Sequence, residues 1–179
     1  MTLQFNSKVY AIKCCVVFSL CFSACSYKQY HLESNSNNEP VVKTDFYSFN
    51  KPMTVNDAAL LDTTALYIQV FNNTDANKAE QANPAILKFH NDGYYKISSR
   101  RFYGKFDAVR TKQSAYYGGK FYLEGNKILT ESFYPVQGGK THYYTKSINK
   151  GSIKNDTLKL SVYGSEQCYV KRTAKEVFN

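Results

Sequence analysis

The sequence predicts an all-β domain, an antiparallel up-and-down meander of about eight strands closing into a barrel, preceded by a signal peptide and a flexible tether. Three observations predict it. Tyr 16 and Phe 12 make 16% of the chain aromatic, and such side chains pack well on a pleated surface. From Thr64 onward apolar residues recur at every second position, the period of a strand whose two faces meet different surroundings. Short reversals rich in Gly, Asn and Asp separate those runs.

The N-terminal segment has its own logic. Met1 to Lys13 carries Lys8 and Lys13 and no acid, and the apolar run from Cys14 to Phe22 follows. That run is too short for a bilayer, which needs ~20 residues, and suits the core of an export signal. It ends in Phe22-Ser23-Ala24-Cys25. This resembles the lipobox of bacterial lipoproteins, in which small residues directly precede a cysteine, although Phe22 stands where that family prefers Leu. The resemblance implies that residues 1–24 are a cleaved leader, that the Cys25 thiol takes a diacylglyceryl group, and that the new amino terminus is acylated. The membrane is then a partner through lipid on Cys25. Each buried methylene contributes ~0.8 kcal/mol, so two or more chains hold firmly. Ser26, in place of the Asp that retains enteric lipoproteins in the inner membrane, implies an envelope address at the outer membrane.

Removal of 24 of the 179 residues leaves 155, enough for one domain with a single core plus a tail. The net charge is +9, or +7 without the two leader lysines. Because the cations alternate with apolar residues along the strands, they read as the solvated face of a sheet and not as a nucleic-acid patch. Four of the five cysteines lie in the first 25 residues, which leaves Cys168 without an intrachain partner. It alternates with Val170 and reads as a buried core thiol.

Residues 25–60 read as the lipidated cysteine and its tether. Glu33 to Pro40 is too polar to pack, Val41 to Pro52 has the character of an extended arm, and Asn56 is placed to cap one helical turn. The barrel domain is expected over 61–179. Leu66, Ile68 and Val70 alternate with Tyr67, Gln69 and Phe71 in the first strand; Leu87 and Phe89 lead into Asn91-Asp92-Gly93; Tyr95 and Ile97 continue the inward face. Gly118-Gly119 precedes Phe121 and Leu123, Gly125-Asn126 turns into Ile128 to Tyr134, and Gly138-Gly139 makes the next reversal. A long run from Thr141 to Lys154 contains Gly151, read as a bulge. Asn155-Asp156 then leads to Leu158, Leu160 and Val162, and Cys168 with Val170 closes the series.

The stretches Gly119 to Ile128 and Gly151 to Leu160, with the strand holding Tyr143-Tyr144, resemble the lipocalin-like domains of small bacterial lipoproteins. The resemblance implies a barrel that holds one small apolar or amphipathic ligand. The chain departs from true lipocalins in lacking Trp, and with it their Gly-x-Trp signature.

The chemistry-bearing residues form no catalytic pattern. His31, His90 and His142 are far apart, and neither a His-Glu-x-x-His pattern nor a Gly-x-Ser-x-Gly elbow occurs. The expectation is a protein that is not an enzyme, needs no cofactor or metal, and works as a monomer. Candidate ligand-binding residues come from the connection Arg100 to Ser114, where Arg100, Arg101, Tyr103, Lys105 and Arg110 mix cations with aromatics at an expected barrel mouth. Tyr95 and Tyr143 join them, since an inward phenol needs a partner. Tyr67, Tyr122 and Tyr144 belong to the same set. The alternative role is a filled barrel that meets an envelope protein partner through its outer surface.

Overall fold

The computed structural model describes residues 28–71, 78–137 and 142–178. The leader, Cys25 and the Gly138-Gly139 reversal lie outside the described residues.

Eleven strands are described: β1 (Gln29–His31), β2 (Glu33–Ser34), β3 (Pro40–Val41), β4 (Leu66–Val70), β5 (Ala85–Phe89), β6 (Tyr94–Ser99), β7 (Gly118–Glu124), β8 (Lys127–Pro135), β9 (Tyr143–Lys154), β10 (Thr157–Val162) and β11 (Ser165–Arg172). From β4 to β11 each strand pairs antiparallel with the next, and β11 pairs back with β4 through Cys168↔Val70 to Arg172↔Leu66. The meander is thereby a closed eight-stranded, lipocalin-like barrel, and closure removes the free edges that would template aggregation. Among the described residues no helix is long and apolar enough to cross a membrane.

The period of two sorts the side chains as expected. Tyr67 faces Leu87, Leu87 faces Ile97, and Phe121 faces Thr130, which fixes the inward register. Leu61, Tyr67, Leu87, Phe89, Tyr95, Phe121, Leu123, Ile128, Ile153, Leu158, Leu160 and Tyr169 form one buried core. Gly151 is no bulge. It pairs regularly with Ile128 on one side and Leu160 on the other, and a Cβ there would stand 2.0 Å from the Lys159 carbonyl oxygen. The glycine lets β9 pass between β8 and β10 at close range. Cys168 is not a core thiol either: it is paired with Lys159 and Val70 on the outer face, half-buried and free.

The tether expected over 25–60 is a packed arm from residue 28 on. β1 adds to the edge of β9, with Tyr30 opposite Tyr144. Asn35 Oδ1 accepts from Asn37 N and Glu39 N, turning β2 back onto β3. Tyr30, Leu32, Val42 and Tyr47 then pack on the outward side chains Phe133 and Tyr144 as a second buried cluster, each worth roughly 1.5–3 kcal/mol. The polar residues between them hid this pattern, because the arm touches the barrel only at intervals. At the far end of the arm a helical turn, Val55–Ala58, is capped by Thr54 and not by Asn56. Thr54 and Asp57 close a reciprocal capping box. A third buried cluster, Leu66, Ile86 and Val177, seats the C-terminal turn on the outer wall. All three clusters lie between Tyr30 and Val177, so residues 28–179 hold a complete folding unit.

Candidate functional site

The two ends of the barrel differ. At the end holding the β5–β6, β7–β8 and β9–β10 turns, the interior is solid. Phe89 packs edge-on against Phe121 (4.9 Å) and Tyr67 (5.5 Å), and fully buried Leu61 comes in beneath. The Tyr67 hydroxyl accepts from Asp62 N, which ties that plug to the wall. The chain from Lys51 to Leu61 crosses this end, and Met53 packs against the core.

At the other end polar side chains predominate among the inward positions, with Ala85, Ile97 and Val162 between them. Thr130, Ser132 and Asn149 are buried there, while Gln69, Ser99, Tyr134, Thr145, Ser147 and Gln167 are half-buried and Ile97 is 41% exposed. Register places them inside, since Thr130 faces Asn149, Ser132 faces Ser147 and Tyr134 faces Thr145. Solvent therefore reaches the rim at this end, while Thr130 and Ser132 above the aromatic floor are closed off from it. Burial pushes the Tyr95 phenol well above its ordinary value, offset only in part by the nearby Ser132 and Thr130 hydroxyls. Tyr169 is shifted the same way by burial and donates to Gln167 Oε1 at 2.6 Å. Both phenols stay neutral. Beyond its approach to the Tyr95 phenol, Ser132 Oγ, buried with its residue 4% exposed, has no hydrogen-bond partner among the described residues.

The structure does not gather the residues singled out from sequence into one site. Tyr95 points inward at the junction of floor and polar wall. The others lie elsewhere. Arg100 and Arg101 are exposed beside Pro84 and Asn83, to which their backbone N–H groups donate. Tyr103 packs on the outer-wall cluster beside Phe178, and Lys105 lies over the Phe102 ring. Arg110 is paired with Glu39 at 3.0 Å. Tyr143 is half-exposed, edge-on to His31. The connection begins at the open end and then runs along the outer wall of β5 and β6. Lys96–Asp107, Lys112–Asp92 and Tyr117–His90 pin it there. The polar wall residues were legible in principle: Thr145, Ser147 and Asn149 alternate with Lys146, Ile148 and Lys150, so the polar-looking face of that strand is the inner one.

His90 titrates in this outer pin. Its Nε2 lies 2.6 Å from the Tyr117 hydroxyl, and burial together with Lys112 lowers its pKa below the ordinary 6.5. The neutral ring is the folded form, so its contribution is whole above pH 6.5 and is lost as the pH falls toward the lowered value. Urea midpoints measured across this range are expected to fall below pH 6.5, and His90→Gln is expected to abolish that component.

Two grooves lie outside the barrel. One, of about 200 Å³, sits between the arm and β7 and is lined by Lys51, Met53, Asp57 and Tyr122. The other, of about 380 Å³, is framed by Lys28, Tyr30, His31, Phe46 and Lys146. Among the described residues no group of three His, Cys, Asp or Glu side chains is placed to hold a metal ion.

Fold and site together define a closed antiparallel β-barrel with one end packed by apolar side chains and the other rimmed by mostly polar, half-exposed ones. Compared with known protein families, with characterised proteins and with solved structures, the chain matches none.

Proposed function

We propose that this is a non-catalytic lipoprotein of the cell envelope, anchored at the outer membrane through Cys25, whose barrel binds a small molecule through its open end. The observation that carries the binding role is the half-exposure of inward side chains at one end of a barrel whose other end is solid. A barrel filled for stability alone has little use for a row of polar inward side chains such as Thr130, Ser132, Thr145, Ser147 and Asn149.

The anchoring role rests on the Phe22-Ser23-Ala24-Cys25 pattern and gains a geometry from the arm. β1 starts at Gln29 and pairs with Tyr143 to Thr145, the first residues of β9, at the open end. Three residues separate Cys25 from Gln29, and at ~3.3–3.6 Å per residue the lipid sits within about 15 Å of β1. The anchor thus holds the barrel within a few residues of β1 instead of swinging it on a long leash.

Expression of the full chain in a bacterial host with an alkynyl fatty acid tests this. Label is expected on the wild type and absent from Cys25→Ser, which moves to the soluble fraction. An intact mass that retains Met1, or lacks acyl mass, removes the anchor. The alternative, an interaction lipoprotein acting through its outer surface, is favoured by one observation, the 380 Å³ groove between arm and β9.

A further inference from the structure

The charge distribution across the barrel wall identifies the ligand's chemistry. Charged residues make up 21% of the chain, yet from the floor to the open rim no inward-register position of the described strands carries one. Lys171, the charged residue whose register does face inward, lies at the sealed end on Asp156. Even the buried charges Lys96, Lys120 and Glu131 face outward, under the arm and the long connection.

We propose that the open end takes an uncharged, hydroxyl-rich small molecule, in chemical class a neutral saccharide. This rests on the open end being the binding site. An anionic or cationic group would enter a wall with no countercharge, and an unpaired buried charge costs several kcal/mol. A purely apolar molecule would displace water from the half-buried Thr145 and Ser147 side chains on the inward face of β9 and leave those groups unpaired, at roughly 1–3 kcal/mol each. A polyol meets neither penalty, because each of its hydroxyls both donates and accepts.

The rim supplies a second, independent sign. Tyr163 adopts a left-handed backbone (φ 49°) in the two-residue reversal with Gly164, a conformation that favours Gly or Asn. Its ring is 76% exposed and stands 5.9 Å from that of Tyr134, which rises from the inward face of β8. Strain of this kind persists where the surroundings or a function require it. The two rings meet at 57° and make an aromatic corner at the entrance, against which the apolar face of a sugar ring can lie.

The test is an amide NMR titration of residues 28–179 with three probes: maltose, decanoate and benzene. Saturable shifts from maltose at Ser132, Asn149 and Gln167 are expected, with affinity about tenfold weaker in Asn149→Leu. Tyr163→Ala, at an exposed position that cannot disturb the core, is expected to weaken maltose severalfold. Maltose binding unchanged in both variants, or confined to the outer groove, overturns the inference. Decanoate or benzene shifting the same interior amides while maltose does not would overturn the ligand class and leave the binding site standing. No interior shift with any probe would sink both.

Discussion

Glu131→Ala is expected to lower the stability of the folded chain by about 3–5 kcal/mol and to release the arm before the barrel opens. The Glu131 side chain is fully buried on the outward face of β8. It accepts from Ser48 N at 3.0 and 2.8 Å and from Phe49 N at 3.2 Å, and it pairs with Lys146 at 2.6 Å. Alanine would strand two backbone donors and leave the Lys146 ammonium, which lies over the Tyr30 and Phe133 rings, with Ser48 Oγ but no countercharge. Glu131→Gln keeps an acceptor and loses the charge, so an intermediate cost is expected. Urea unfolding gives the energy; limited proteolysis locates it, with first cuts expected between residues 28 and 53. An arm as protease-resistant in Glu131→Ala as in the wild type would show that the carboxylate is not its latch.

The same latch shows why the barrel was legible in the sequence and the arm was not. Strands β4 to β11 repeat one physical rule, alternation about a common core, and each turn announces itself with Gly or Asn. Leu87, Phe89, Phe121 and Leu123 could be placed inside from spacing alone, and the core contains them all. The arm follows no period. Tyr30 and Leu32 belong to a strand edge, Tyr47 to a loop, and the carboxylate that ties the loop down is 83 residues away at Glu131. A long-range contact between a backbone N–H and a distant side chain leaves no local trace. Aromatic and basic residues together in Arg100 to Lys112 suggested a rim, but Lys96 and Asp92, which draw that connection along the outer wall, are too remote in sequence for composition to reveal. The candidate site was half visible. Spacing marks Tyr95 as an inward phenol, whereas it does not single out Thr130, Ser132 and Asn149, because polarity is ordinarily equated with exposure.

That equation fails most clearly at Ser132, and the contrast with Phe89 gives the second large effect. Phe89→Ala is expected to cost about 3–5 kcal/mol, since the ring is fully buried and meets Tyr67, Tyr95 and Phe121 at 4.9–6.0 Å. Ser132→Ala, in an equally buried inward position, is expected to leave stability unchanged or raise it by about 1 kcal/mol. The hydroxyl gave up water on folding and gained only its approach to the Tyr95 phenol, so its removal takes away a cost at least as large as the contact. Urea midpoints of the two variants check both signs. A loss of more than 1 kcal/mol in Ser132→Ala would mean that its hydroxyl is already satisfied in the free protein. With the expected signs, floor and wall are separate in kind: the floor holds the barrel together, and the wall above it retains polar groups that folding alone would discard. Such groups persist at the expense of stability where binding uses them.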